Sequence, residues 1–146
     1  AQGCSAQALS PFLPCEQPMV KIAVVATSAS SLKGHPTGLW LEELAAPYYI
    51  FKEAGFDVIL ASIAGGPVPI DAGSMSGAFF TKPAKRFMHD GAAFSELCHS
   101  KRLADILVSE LDAIFFTGGH GVVVDYVGNS VVKSAIETLY GAGKVV

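Results

Sequence analysis

The chain has 146 residues, a length that suits one domain with a sizeable hydrophobic core. Hydrophobic residues make up 51% of the chain and charged residues 16%, and the formal net charge is −3 with no cluster of Lys or Arg. This balance argues against a protein that binds nucleic acid or an anionic membrane surface, and no apolar run approaches the ~18 residues needed to cross a bilayer.

The first 18 residues are predicted to form a tail outside the domain, which spans residues 19–146. The tail contains three prolines and a single charged residue, Glu16, and it lacks the basic start and long apolar run of a secretory signal. A transit-peptide remnant, an expression extension and a native arm all fit this composition. Of the three cysteines, Cys4 and Cys15 lie in the tail, where they can pair, and Cys98 lies in the domain. Their irregular spacing indicates neither a disulfide framework nor a zinc site, and we expect a reducing, cytoplasmic compartment.

The domain begins with a predicted β-α-β unit. The run KIAVVAT (residues 21–27) has the continuous apolar content of a parallel strand buried on both faces, and FDVILAS (residues 56–62) has the same character. Between them, apolar residues recur at helical spacing over residues 39–54, and Gly55 ends the helix. The Ser- and Gly-rich residues 28–36 are predicted to form a loop at the end of the first strand.

The second half of the domain continues the alternation of strands and helices. Glycines and prolines between residues 63 and 77 predict a surface excursion. The elements predicted after it are a loop with one or two helical turns (82–95), two short helices (94–99 and 101–107), a third buried strand DAIFFT (112–117), a helix (130–140) capped by Asn129 or Ser130, and the start of a fourth strand (144–146). This order predicts an α/β fold with a doubly wound parallel sheet, whose ligands bind at the C-terminal ends of the strands.

Directly after the third strand comes the GGHG turn, made of Gly118, Gly119, His120 and Gly121. Its glycines allow backbone conformations closed to other residues, and their N–H groups can converge on an anion, as an oxyanion hole requires. The alternative is a tight turn with a histidine that faces solvent. His35, in the loop after the first strand, is a further candidate for lining the same pocket.

Glu43 is the candidate proton carrier. It lies on the predicted first helix and borders the apolar stripe of that helix, whereas Glu42 points away from the stripe. A half-buried carboxylate at a helix start that Pro47 distorts can shuttle protons. The alternative is an ordinary glutamate in the first turn, where a negative charge favours the helix dipole.

Other candidate groups carry weaker signals. Cys98 and His99 lie in a helical segment with no strand before it, so the strained turn that exposes a nucleophile is missing there. No set of His, Asp or Glu has metal-ligand spacing, and neither GxGxxG nor a P-loop occurs. We therefore expect no metal and no nucleotide or dinucleotide cofactor.

Four segments together resemble the ThiJ/PfpI superfamily, on the branch of cofactor-independent glyoxalase III and related heat-shock chaperones. They are HPTGLWLEELAAPYYIFKEAGFDVILAS (35–62), GGPVPIDAGS (65–74), DAIFFTGGHGVVVDY (112–126) and AGKVV (142–146). The pairing of TGxxxEE with a downstream GGHG is specific, and the resemblance covers nearly all of residues 21–146.

The resemblance implies a flavodoxin-like sheet with helices on both faces and a cysteine nucleophile on a strand-to-helix elbow. It implies that Glu43 lies beside that cysteine and that the GGHG turn supplies backbone donors, with His35 and Trp40 as candidates for lining the pocket. On the glyoxalase III branch the thiolate attacks the aldehyde of methylglyoxal. Glu43 then moves protons between the two carbons, and hydrolysis gives lactate without a cofactor.

By the family pattern the nucleophilic cysteine falls a few residues beyond Val146, after the strand that AGKVV begins. We therefore expect the sheet to be incomplete in this chain and the remainder to be a second polypeptide, produced by cleavage near the elbow. A truncated product is the alternative. The resemblance also implies a homo-oligomer.

Two other functions remain open. One is a non-enzymatic holding chaperone or stress protein, whose adhesive surface would include Trp40, Phe51, Phe79 and Phe80. The other is a hydrolase or deglycase of the same superfamily. Core packing is the alternative explanation of the four aromatic residues.

Overall fold

The main sheet consists of four parallel strands in the order β5-β4-β1-β6. The computed structural model describes residues 19–146, and the predicted tail with Cys4 and Cys15 lies outside the described residues. The strands of the main sheet are β1 (Lys21–Ala26), β4 (Asp57–Ser62), β5 (Lys101–Arg102) and β6 (Ala113–Phe116). A separate antiparallel pair consists of β2 (Ser31–Leu32) and β3 (His35–Pro36).

Helices cover both faces of the main sheet. They are α1 (Leu41–Glu53), α2 (Lys82–His89), α3 (Gly91–Cys98), α4 (Val122–Asp125) and α5 (Ser130–Gly141), with 3₁₀ turns at Ala72–Met75, Gly77–Phe79, Leu103–Asp105 and Val108–Glu110. The predicted α/β class, a flavodoxin-like doubly wound sheet with helices on both faces, is confirmed.

Alternate residues of β1 enter two separate hydrophobic cores. Val24 packs on the side of α1, α2 and α3, whereas Ala23 and Val25 pack on the side of α5. All three are fully buried. This two-sided burial is the reason why β1 reads as a continuous apolar run instead of an alternating one.

The structure corrects the prediction for the middle of the chain. Residues 82–95, expected to form a loop with one or two helical turns, belong to two full helices, because Thr81 and Asp90 cap them; the second of these includes most of the short helix expected at residues 94–99. The Thr81 hydroxyl accepts a hydrogen bond from Ala84 N–H, and the Asp90 carboxylate accepts one from Ala93 N–H. Residues 101–102, expected in a helix, form strand β5, since they pair with the end of β4.

The predicted loop at residues 28–36 contains a β-hairpin. Lys33 and Gly34 both have positive φ, 51° and 82°, as a two-residue turn between β2 and β3 requires. A lysine is unusual at the first position of such a turn, so residue types alone did not indicate a hairpin here. The hairpin projects from the C-terminal end of β1.

The last helix and the chain end follow the prediction closely. Asn129 caps α5, and its side-chain oxygen accepts hydrogen bonds from Val131 and Val132 N–H. Val145 then pairs in parallel with Ala113 on the free side of β6, as expected for the start of another strand. Because β5 is also a strand of the main sheet, this one is the fifth strand of that sheet along the chain instead of the fourth. Within residues 19–146 no helix is both long and apolar enough to cross a membrane.

Candidate active site

The C-terminal ends of β1 and β6 lie side by side at the point where the chain reverses its direction of winding. From β1 the chain passes through α1 to β4 on one side, and β6 lies on the other side of β1. Open α/β sheets bind ligands at such a crevice, because the loops after the two strands diverge there. The GGHG turn follows β6 at this position.

Glu43 lies directly against the GGHG turn. It sits in the first turn of α1, and its carboxylate occupies the space in which a Cβ of Gly118 would lie. Trp40 N–H, at the start of α1, donates a hydrogen bond to the Gly118 carbonyl at 3.4 Å. The first turn of α1 and the GGHG turn are therefore packed backbone to backbone, with the Glu43 carboxylate at their junction.

The other two glycines of the turn also face close neighbours. A Cβ on Gly119 would overlap the Gly38 carbonyl and lie 2.7 Å from Trp40 N, and the φ of Gly119 is 111°. A Cβ on Gly121 would lie 2.7 Å from Thr27 Cγ2, at the end of β1. Each glycine thus permits a different close approach, which explains why three of the four residues are glycine.

The backbone N–H groups of the GGHG turn are the candidate donors to a ligand. Among residues 19–146, no atom accepts a hydrogen bond from the N–H groups of Gly118, Gly119, His120 or Gly121. Unpaired N–H groups on successive residues are the donors that an anionic intermediate needs.

The relative burial of the two adjacent glutamates is the reverse of the expectation. Glu43, predicted to be half-buried, is exposed, and Glu42 is half-buried beside the Thr81 hydroxyl, which donates a hydrogen bond to it. Burial raises the pKa of Glu42 above its ordinary value. The helix α1 runs without interruption past Pro47. Helical spacing places Glu43 nearer the predicted apolar stripe of α1, but the start of α2 packs over Glu42 instead.

His35 and His120 line one open pocket of about 220 Å³. Lys33 from the hairpin turn, Thr37 after the hairpin and Asp71 from the segment after β4 complete its polar lining. Trp40, the other expected pocket residue, does not line this pocket: its backbone N–H contacts the GGHG turn, and its ring packs edge-on against Phe79 with the ring centres 5.2 Å apart. Within the described part of the chain, no group of three or more His, Cys, Asp or Glu could hold a metal ion.

Sequence reasoning missed Asp125, which joins the loops of this site. Asp125, at the end of α4, accepts hydrogen bonds from the Thr27 hydroxyl at 2.8 Å and from Ser28 N–H at 2.7 Å. Asp125 follows the GGHG turn by four residues, but nothing in the sequence links it to a partner 98 residues away.

The chain is similar to known proteins in both sequence and structure. No protein-family model matches the chain. Glyoxalase 3 of Candida albicans (strain SC5314) is 28% identical over 133 residues, which is 88% of this chain and 56% of that protein.

Two solved structures are similar over the same region. The 24 kDa Rapid Encystment Protein of Francisella tularensis matches with a TM-score of 0.79 and 31% identity, over 87% of this chain and 57% of that one. Glyoxalase III of Candida albicans matches with a TM-score of 0.76 and 26% identity, over 87% of this chain and 55% of that one. The chain thus spans slightly more than half the length of these relatives. Both comparisons confirm the resemblance in the sequence motifs: the chain is similar to proteins of the ThiJ/PfpI superfamily and, within it, of the glyoxalase III branch.

Proposed function

We propose that this chain carries the proton-transferring part of a cofactor-independent glyoxalase III-type lyase. The observation that carries the proposal is the Glu43 carboxylate packed on Gly118 at the crevice between β1 and β6. A carboxylate and a set of unpaired backbone N–H groups meet there, and rearrangement of an α-oxoaldehyde needs both. Relatives named Glyoxalase 3 and glyoxalase III support the same assignment.

The proposed reaction converts methylglyoxal, or a similar α-oxoaldehyde, and water into a 2-hydroxy acid. A cysteine thiolate adds to the aldehyde carbon and forms a hemithioacetal. Glu43 removes the proton from that carbon and returns a proton to the neighbouring one, while the hemithioacetal hydroxyl proton passes to the neighbouring oxygen, which gives an α-hydroxy thioester. Water hydrolyses the thioester, and the thiolate leaves unchanged. The N–H groups of the GGHG turn stabilise the negative oxygen formed in these steps.

The nucleophile in this proposal belongs to a part of the protein outside residues 1–146. Cys98 ends α3, which packs against α2 and β4. A helix end without a preceding strand also lacks the strained turn that exposes a nucleophile. The expected second polypeptide, a homo-oligomer and a cytoplasmic location remain predictions. An intact-mass measurement tests the first, because a single species that contains both parts would contradict it.

The test of the proposed function is the pair of variants Glu43→Gln and Glu42→Gln in the complete protein. Both remove one negative charge from the first turn of α1, so they match in helix electrostatics. We expect Glu43→Gln to lower the rate of lactate formation from methylglyoxal by about 10²-fold or more, and Glu42→Gln to leave it within about threefold. Equal rates in the two variants would exclude Glu43 as the proton carrier.

The exposed surface gives less support to a holding chaperone. Of the four aromatic residues expected to form an adhesive surface, Phe79 is exposed, whereas Phe51 and Phe80 pack against the core and Trp40 is half-buried. Suppression of aggregation by a protein that lacks the nucleophile would favour the chaperone. Turnover of glycated amines or esters at a higher kcat/KM than methylglyoxal would favour a deglycase or hydrolase.

A further inference from the structure

Asp125 connects the segment after the GGHG turn to the end of β1. Its two carboxylate oxygens have different partners. One accepts a hydrogen bond from the Thr27 hydroxyl at 2.8 Å, and the other accepts one from Ser28 N–H at 2.7 Å. Thr27 is fully buried, and its hydroxyl oxygen accepts Ala29 N–H at 3.0 Å. The carboxylate therefore fixes the first three residues after β1.

The contact point between the two loops is Gly121 on Thr27. The absence of a Cβ on Gly121 lets the GGHG turn approach both Thr27 Cγ2 and the Ala29 carbonyl. Asp125 lies one turn of α4 beyond Gly121 and holds the same threonine from that side. The hydroxyl is thus enclosed between the start and the end of α4.

Asp125 is itself held in place by its neighbours. Asn129 Nδ2 donates to the Asp125 carbonyl at 2.9 Å, and the Tyr126 hydroxyl donates to the Val25 carbonyl at 2.8 Å. Thr117, at the end of β6, donates its hydroxyl to the same Val25 carbonyl at 3.1 Å. Asp125 and Tyr126 therefore tie the end of α4 to β1 and to the residues directly after it.

We propose that Asp125 is a positioning residue, which holds the GGHG turn against β1 so that Gly118 meets the Glu43 carboxylate. The turn lies between two supports: α1 on the Gly118 and Gly119 side, and β1 on the Gly121 side. Without the carboxylate, Gly121 keeps only van der Waals contact with Thr27 while the Tyr126 hydroxyl remains bonded to the Val25 carbonyl, so the turn is held less firmly against Glu43. This inference rests on the proposed function, because the displaced group is the proposed set of backbone donors.

The test compares Asp125→Ala and Asp125→Asn with Asp112→Ala in the complete protein. Asp112 is the matched control, because its carboxylate accepts Lys21 N–H at 2.8 Å at the opposite end of β1. We expect Asp125→Ala to lower kcat for methylglyoxal by about 100-fold with KM changed by less than about threefold, since the loss is one of alignment. Asp112→Ala should leave both constants within about twofold of the wild type.

Rescue by the conservative variant separates positioning from charge. The asparagine oxygen can still accept Ser28 N–H, and its amide can donate to the second lone pair of the Thr27 hydroxyl. Asp125→Asn should therefore retain kcat within about tenfold of the wild type. Thr27→Val keeps the methyl group that faces Gly121 and removes the hydroxyl. The double variant with Asp125→Ala should therefore have a kcat little lower than that of either single variant.

A second readout does not depend on activity. In the spectrum of ¹⁵N-glycine-labelled protein, Asp125→Ala should shift the amide resonances of Gly118, Gly119 and Gly121, and Asp112→Ala should leave them in place. If the wild type does not convert methylglyoxal, the proposed function fails, and these shifts decide the positioning role alone. Unmoved glycine resonances in Asp125→Ala, or a kcat equal to that of Asp112→Ala in an active enzyme, would overturn the inference.

Discussion

At the scale of single residues, Gly118 and Glu43 depend on each other. The glutamate carboxylate fills the space where a side chain of residue 118 would begin, so an alanine there displaces the carboxylate or the turn. The side chain of a surface glutamate moves easily, and the backbone of Gly118 does not have positive φ. The cost of adding a methyl group therefore falls on the position of Glu43 more than on stability.

The variant Gly118→Ala is accordingly expected to lose about 10²-fold in kcat while its free energy of unfolding changes by less than about 1 kcal/mol. Gly141→Ala is the control, because Gly141 lies in α5 with no atom near its missing Cβ, and alanine should stabilise that helix slightly. Steady-state kinetics and urea unfolding measure the two quantities. A fully active Gly118→Ala variant would contradict the role of the junction.

Glu42 gives a pH-dependent prediction. Burial raises its pKa above 4.5, so ionisation is less favourable in the folded protein than in the unfolded chain. The free energy of unfolding should therefore fall as the pH rises from about 4.5 through the higher folded-state pKa. Glu42→Gln has no such charge. We therefore expect the free energy of unfolding of this variant, measured against that of the wild type, to be higher at pH 7 than at pH 4. Urea unfolding at the two pH values measures this, and the opposite trend would mean that the ionised form is favoured by Thr81.

At the scale of elements, α5 depends on its N-cap. Asn129 accepts hydrogen bonds from Val131 and Val132 N–H, and its amide donates to the Asp125 carbonyl. One side chain thus begins α5 and ties it to α4. The helix carries Val132, Ala135 and Leu139 into the core on one face of the sheet.

Replacing Asn129 with alanine should lower the free energy of unfolding by about 1–2 kcal/mol, since two orphan N–H groups and one carbonyl lose their partner. Ser130→Ala is the control, because Ser130 begins α5 without a side-chain hydrogen bond to the helix. Denaturant unfolding measures both. Equal stability of the two variants would show that water replaces the cap without loss.

At the scale of the whole molecule, the far side of β6 is the open side of the sheet. Ile114 N–H donates to the Val145 carbonyl at 3.1 Å, and within residues 19–146 no strand pairs with the two phenylalanines that follow on that side. Val123, Val124 and Val127 are exposed on and after α4. Unpaired strand edges recruit other strands, and exposed apolar surface recruits other surfaces.

A polypeptide limited to residues 19–146 is therefore expected to self-associate at micromolar concentration, as measured by sedimentation velocity, more strongly than the complete protein does. Val127→Glu distinguishes the two causes, because it adds charge to the α4 surface and leaves the strand edge unchanged. We expect the association to persist in this variant. A monomeric polypeptide without the substitution would contradict the prediction.

The sequence by itself determined the α/β class, the strands β1, β4 and β6, and the helices α1 and α5. Each of these elements has a local cause: a continuous apolar run for a strand covered on both faces, helical spacing for α1, and a cap with a glycine stop for α5. The GGHG turn and Glu43 were identified by motif. The helices α2 and α3 were predictable from their caps, but the length of helix predicted there was too short.

Only the tertiary structure decided which of these groups meet. Glu43 reaches Gly118, and Thr27 reaches Asp125, because β1 and β6 are neighbours in the sheet although they are far apart in the chain. The pairing of β5 and the burial of Glu42 under α2 likewise depend on contacts between distant segments. Residue spacing specifies the face of an element, whereas the partner on that face is set by how the elements pack together.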